Sequence, residues 1–331
     1  MKASNASPKQ IKHITIICNP FAGRGQATKM AKQAEHFALK KGWGIIANIE
    51  SNYAGHIENE LAGKFAPESD LIILIGGDGT LRELIAGLRK HNLRTEIAFI
   101  PMGNANVVAR ELNIPLQPEL ALKMLDSSKS IAVDLGVLNM HSQQDAANNE
   151  HETMIFLAML EIGFGAKIVH MVNQLRSGKL QRLYRLWGDL VYALAGILAL
   201  CQTKPKAASI KFNSKLHKSS NLVVSNMKTY AKGWSLTPEA NCQDGLFDIA
   251  LSRRNSRLAT IATFFLAAQK RKSPAGRVSY ARLQDAELKG PDNIFMQVDG
   301  DPIYFSGHAK ISIEPKAFVI HTPSNATNQA N

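Results

Sequence analysis

Residues 71–88 read LIILIGGDGTLRELIAGL, and this stretch decides the fold. Leu71 to Ile75 is uniformly apolar, as a strand covered on both faces should be. Leu81, Leu84, Ile85 and Leu88 then recur on one face of a helix. Between the two stand Gly76, Gly77, Asp78, Gly79 and Thr80. Two glycines directly after a strand permit backbone angles closed to other residues and let a ligand approach the main chain. The helix that follows presents unpaired N–H groups and the positive end of its dipole, which suits phosphate. Asp78 beside such a phosphate has a use if it holds a magnesium ion or that ion's water shell. A plain Gly-Asp-Gly turn is the bland alternative. The place at the carboxyl end of a strand, where open α/β sheets bind ligands, favours a site.

The same pattern repeats on either side. Ile14 to Cys18 is a short apolar run stopped by Asn19-Pro20, and Ala27, Met30, Ala31, Ala34 and Ala38 follow at helical spacing. Ile97 to Ile100 reads as a third strand and Ile131 to Val133 as a fourth. Strands alternating with helices predict an α/β domain with a parallel sheet flanked by helices. NPFAGRG from Asn19 and PMGNAN from Pro101 are two more strand-to-turn loops, so three such loops should line one edge of the sheet. Beyond residue 150, short runs between turns (Met154 to Leu160, Ile210 to Phe212, Leu222 to Ser225, Phe247 to Leu251, Ile294 to Val298, Lys310 to Ile313, Ala317 to Ile320) predict a mostly antiparallel β domain. Helical segments interrupt it at about 178–201 and 257–269. The expected division is a nucleotide-binding domain over 11–135 and a β-sandwich lipid-substrate domain over 136–305. Residues 306–322 are expected to pack back on the first.

With 331 residues, 45% of them hydrophobic, the chain is long enough for two domains and too apolar for disorder. Its three cysteines, Cys18, Cys201 and Cys242, are isolated, which disfavours a disulfide framework or zinc ribbon and makes a reducing, cytoplasmic setting the expectation. Met1 to Gln10 is polar, and the uncharged apolar run from Leu190 to Cys201 is shorter than the roughly 18–20 residues a spanning helix requires. A net charge of +12 points to nucleic acid or an anionic membrane surface. No nucleic-acid motif is recognisable, so no nucleic acid is expected. Arg176, Lys179, Arg182 and Arg185, interleaved with Leu175, Leu180, Leu183, Tyr184 and Trp187, suit peripheral attachment to the inner face of a membrane. Lys270-Arg271-Lys272 is a second basic patch. The solvated face of a core helix is an equal alternative for the first segment.

Two acid–glycine turns stand in the second half, Asp244-Gly245 and Asp299-Gly300-Asp301. Such pairs are commonly hairpin turns; the functional reading makes Asp301 a general base. Taken in order, NPFAGRG at 19, GGDGTLREL at 76, PMGNANVVARELNIP at 101, GFGAKIV at 163, SNMKTYAKGWSLTPEANCQDGLFDI at 225 and VDGDP at 298 resemble the diacylglycerol kinase catalytic family, bacterial lipid kinases related to sphingosine and ceramide kinases.

The resemblance implies an ATP-dependent lipid kinase that phosphorylates a hydroxyl of a membrane lipid, diacylglycerol-like. It implies that Gly76, Gly77, Asp78, Gly79, Thr80 and Leu81 hold ATP phosphates, with nucleotide contacts from Asn19, Ser51, Gly103, Asn104 and Asn106. Asn104 stands where a Thr is usual. A structural Mg2+ is implied at Asn241, Asp244 and Leu246, and Asp301, where many relatives carry Glu, is the implied proton acceptor beside catalytic Asp78. Lys167 stands roughly where sphingosine kinases place an acidic ligand, which speaks against an amine-bearing substrate. Two other readings stay open, a kinase of a soluble acceptor such as NAD and a non-catalytic nucleotide-binding regulator at membranes. A homodimer is open as well.

Overall fold

A row of parallel strands carries the first part of the chain. In the computed structural model, which describes residues 11–141, 151–177, 191, 195–199, 206–230, 233–253, 256–274 and 276–324, the chain divides into two units. The first is Met1–Val133 with Ala317–Asn331, the second Asp134–Lys316.

The first unit runs β1 (His13–Cys18), α1 (Ala27–Lys40), β2 (Gly44–Glu50), α2 (Ala62–Phe65), β3 (Leu71–Gly76), α3 (Asp78–Lys90), β4 (Glu96–Pro101), α4 (Val107–Glu111) and α5 (Pro118–Met124). The strands lie in the order β2-β1-β3-β4, all parallel. Cys18 stands opposite both Glu50 and Ile75, and Gly76 opposite Pro101, so the four strands end level with one another. Every residue of β3 is buried, which is why its sequence is apolar without alternation. Helix α1 buries Ala27, Met30, Ala31, Ala34 and Ala38, a face of mostly small side chains. Helix α3 buries Leu81, Leu84, Ile85 and Leu88. Strand β2 lies at the sheet's edge and is half-exposed, so no uniform apolar run announces it.

The second unit begins inside β5 (Ser128–His141), a strand much longer than the apolar run at Ile131 to Val133 suggests. It continues through β6 (His151–Phe156), β7 (Met159–Ile162), α6 (Phe164–Ser177), β8 (Ala208–Phe212), β9 (Lys215–Ser219), β10 (Leu222–Ser225), β11 (Phe247–Ser252), α7 (Arg257–Ala268), β12 (Val278–Leu283), β13 (Asp285–Val298) and most of β14 (Asp301–Pro323). Antiparallel pairing links β12-β11-β10-β7-β13-β14. Strand β13 shifts register between Gly290 and Ile294, pairing with β8 before the shift and with β7 after it. Phe156 and Phe247 stack in the core at 5.4 Å between ring centroids. A side chain at Gly136 would overlap the Phe156 ring, so this strand position needs glycine.

Two boundaries differ from the sequence reading. The run from Met154 to Leu160 is two strands, broken at Leu157-Ala158. The runs at Lys310 and Ala317 are one strand, β14, whose Lys316 has a positive φ of 54° at the change of unit. The end of β14 pairs with β4 in parallel, Ile320 opposite Ile97. The basic stretch from Lys179 to Trp187 lies outside the described residues. Among the described residues, no helix is long and apolar enough to cross a membrane.

Candidate functional site

The level strand ends of the first unit bring three loops together. Asn19 donates its main-chain N–H to Ile75 O at 3.0 Å, accepts from the Phe21 N–H, and reaches Thr80 Oγ1 with Nδ2 at 3.4 Å. The Gly23 N–H donates to Met102 O, and the Met102 N–H to Gly76 O. Gly77 and Gly103 face each other so closely that a Cβ on Gly103 would lie 2.7 Å from Gly77 Cα. Only glycine fits there, and the close approach joins the first and third elements to the glycine loop. Ser51 is buried behind them, its N–H donating to Cys18 O at 2.8 Å. No side chain among the described residues caps the start of α3, and Gly79 is exposed with open space where a side chain would be. An uncapped helix start at the carboxyl edge of a parallel sheet can take a phosphate.

The carboxylate of Asp78 has a different task from the one its position suggests. It accepts the Val107 N–H at 3.0 Å and the Val108 N–H at 3.2 Å, capping α4. Burial raises its pKa, while these amides pull it back. The residue clamps the third loop to the glycine loop, each of its oxygens accepting a main-chain N–H of α4. Asn106, at a positive φ of 47°, pairs with Gly103 in both directions at 2.9 Å and so shapes that loop. Asn104 is exposed. Leu81 is fully buried with its N–H donating to Gly77 O, so it serves the core of α3 rather than a ligand.

In the second unit, the turn between β13 and β14 separates its two acids. Asp299 accepts N–H groups from Leu157, Ala158 and Met159 at 2.6, 2.9 and 3.0 Å. Those amides lie at the break between β6 and β7, so Asp299 holds the break in shape. Asp301 is exposed at the start of β14. Sequence reasoning missed the group beneath this turn. Buried Glu161 accepts from the Gly165 N–H at 3.1 Å, Tyr230 Oη at 2.8 Å and Gln297 Nε2 at 3.1 Å, and Gln297 Oε1 accepts the Gly300 N–H at 2.6 Å. Burial raises the pKa of Glu161 against the pull of these three donors. A lone acid inside the apolar stretch MLEIG was the available signal. Lys167 lies half-buried on α6, and burial lowers its pKa.

Asn241, Asp244 and Leu246 do fall in one turn, held by fully buried Asp134, which accepts the Gly245 N–H at 2.7 Å. Oxygen donors of this kind suit magnesium. Here, however, Asp244 accepts the Leu246 N–H at 3.0 Å and Arg282 Nη2 at 2.7 Å, and Arg282 also reaches Asp248 at 3.2 Å. A guanidinium already neutralises the carboxylate, so the turn as folded does not fit a divalent cation. Among the described residues, no group of three His, Cys, Asp or Glu side chains is placed to hold a metal.

Comparison with known proteins finds two domains in order along the chain. Residues 13–138 match the diacylglycerol kinase catalytic domain, and residues 158–322 match the YegS C-terminal NAD kinase beta sandwich-like domain. A "Probable lipid kinase YegS-like" of Pseudomonas aeruginosa (strain UCBPP-PA14) is 27% identical over 275 residues, 82% of this chain and 81% of that protein. One of the same description from Serratia proteamaculans (strain 568) is 27% identical over 259 residues, 77% of each chain. The crystal structure of a diacylglycerol kinase from Bacillus anthracis (strain Sterne) superposes with a TM-score of 0.69 at 18% identity, covering 96% of this chain and all of the other, a likeness of fold. With both domain matches in order between residues 13 and 322, the chain belongs to the lipid kinase family built on the diacylglycerol kinase catalytic domain and a β-sandwich-like partner.

Proposed function

We propose that this protein transfers the γ-phosphoryl group of ATP to a hydroxyl of a membrane lipid, diacylglycerol-like. The observation that carries the reading is the loop cluster of the first unit, where Gly77 and Gly103 meet beside an uncapped helix start. The phosphates of ATP would lie against Gly76, Gly77, Gly79 and Thr80, with Asn19 and Ser51 at the neighbouring strand ends. Phosphoryl transfer requires mainly positioning and charge neutralisation, so a rigid cradle of amides and a helix dipole supply much of what is needed. Magnesium arriving with the nucleotide would lower the negative charge of its phosphates.

At the acceptor, the lipid oxygen forms its bond to the γ-phosphorus as the bond to the β,γ-bridging oxygen breaks and ADP leaves. The hydroxyl proton passes to Asp301, the exposed acid of its turn. Asp299 is not proposed for this role, since three amides already hold its carboxylate. Asp78 acts as a positioning residue through α4.

The test is direct. Incubation with γ-labelled ATP, magnesium and a total lipid extract should label a lipid, while NAD added in place of lipid should stay unlabelled. Label on NAD alone, or ATP binding without acceptor-dependent turnover, would overturn the reading.

A further inference from the structure

Helix α7 has an apolar face that no described residue of the second unit covers. From Leu258 to Gln269 there is no charged side chain, although charges stand on both sides, Arg253 before and Lys270-Arg271-Lys272 after. The helix packs inward through Ala259 and Ala267 and through Phe264, whose ring meets Phe164 edge-on at 5.1 Å. On the other side, Leu258, Ile261 and Phe265 are 80%, 48% and 63% exposed. Their spacing of three and four residues puts them on one face. Trp234, 40% exposed, belongs to the loop tied to this helix by the Ser235 N–H donating to Ala267 O at 2.9 Å.

A single exposed leucine needs no explanation, but a run of large apolar side chains along one helix face does. The hydroxyls along α7 bond to the helix itself. Thr260 Oγ1 donates to Ser256 O, Thr263 Oγ1 donates to Ala259 O, and Ser256 Oγ accepts the Ala259 N–H. Arg253, Lys270 and Arg271 are exposed. Two identical faces meeting would bring cations against cations, so a second copy is the poorer occupant.

We infer that α7 docks on an anionic bilayer, with Leu258, Ile261 and Phe265 entering the boundary between headgroups and acyl chains. Trp234 lies at the headgroup level, and Arg253, Lys270 and Arg271 meet lipid phosphates. The choice of a bilayer rests on the reading of the protein as a lipid kinase; the surface itself does not. It adds to the basic stretch around Lys179 to Trp187, which lies outside the described residues, a helix whose exposed face is described.

The test uses the full chain and vesicles of phosphatidylcholine with or without phosphatidylglycerol, read by flotation without nucleotide. The protein should float with the anionic vesicles and be released by salt. Leu258→Gln with Phe265→Gln should weaken binding by about tenfold or more, since each side chain loses its apolar transfer, with thermal stability unchanged. Lys270→Glu with Arg271→Glu should weaken it too and remove much of the salt dependence. Phosphorylation of a short-chain, soluble diacylglycerol should be the same in all of these, so loss there in every protein, wild type included, would sink the kinase reading alone. Undiminished flotation of the Leu258→Gln/Phe265→Gln protein would overturn the inference, as would a wild-type dimer that this variant abolishes.

Discussion

Two acids one glycine apart have become different chemical objects. Asp299 collects three amides, so its loss leaves buried donors unpaired, and Asp299→Ala should lower stability by about 1–3 kcal/mol in a denaturant titration. Asp301→Asn should leave stability nearly unchanged and cut kcat by about 10²–10⁴-fold, with ATP affinity kept. Normal turnover by Asp301→Asn would move the base elsewhere. Glu161 makes a separate claim on pH. Burial raises its folded pKa, so the native state binds a proton more readily than the unfolded chain does. The cost of the buried charge is absent below the unfolded pKa and grows as pH rises toward the folded one. The melting temperature should therefore fall as pH climbs above the ordinary glutamate range, and Glu161→Gln should flatten that slope. An equal slope in both proteins would contradict it. The pattern of acids and glycines made the turn visible in sequence; which acid was already engaged was not, because its partners lie some 140 residues away in the chain.

At the scale of elements, what could be read from sequence was what depends on neighbours in the chain. Strand β3 and the Ile97 to Ile100 core of β4 are apolar because both faces are buried, and α7 shows itself as an uncharged helical run. Strand β2 hides because an edge strand is half wet, and the break between β6 and β7 hides because a remote carboxylate creates it. The loops are a mixed case. Their glycines are plain in the sequence, but not that Gly77 and Gly103 touch, nor that Asp78 caps α4. Contact between the glycines makes a prediction. Gly103→Ala puts a methyl 2.7 Å from Gly77 Cα and must push the loops apart. ATP affinity should fall by about tenfold or more, as overpacking typically costs about 1–3 kcal/mol, while the second unit's core is untouched. Unchanged nucleotide binding by equilibrium dialysis would show that the cradle is elsewhere.

For the whole molecule, the notable fact is that the first unit is not continuous in sequence. Residues from Ala317 onward return to it, burying Phe318 and Ile320. His321 links Ser128 Oγ and Glu96 Oε2, each at 2.8 Å. Ending the chain at Lys316 removes about 1.5–3 kcal/mol for each of the two apolar side chains and bares the edge of β4. Such a protein should melt at a lower temperature and aggregate, as light scattering would report; a soluble, normally melting truncation would count against this account. The same return has a consequence during synthesis. A ribosome releases the chain from its amino end, so β4 waits without its neighbour while everything from Asp134 to Lys316 is translated. At about 5–20 residues per second that delay is on the order of tens of seconds. For that interval the nascent protein carries an open, sticky strand, and folding helpers that shield such edges should decide how much of it survives to maturity.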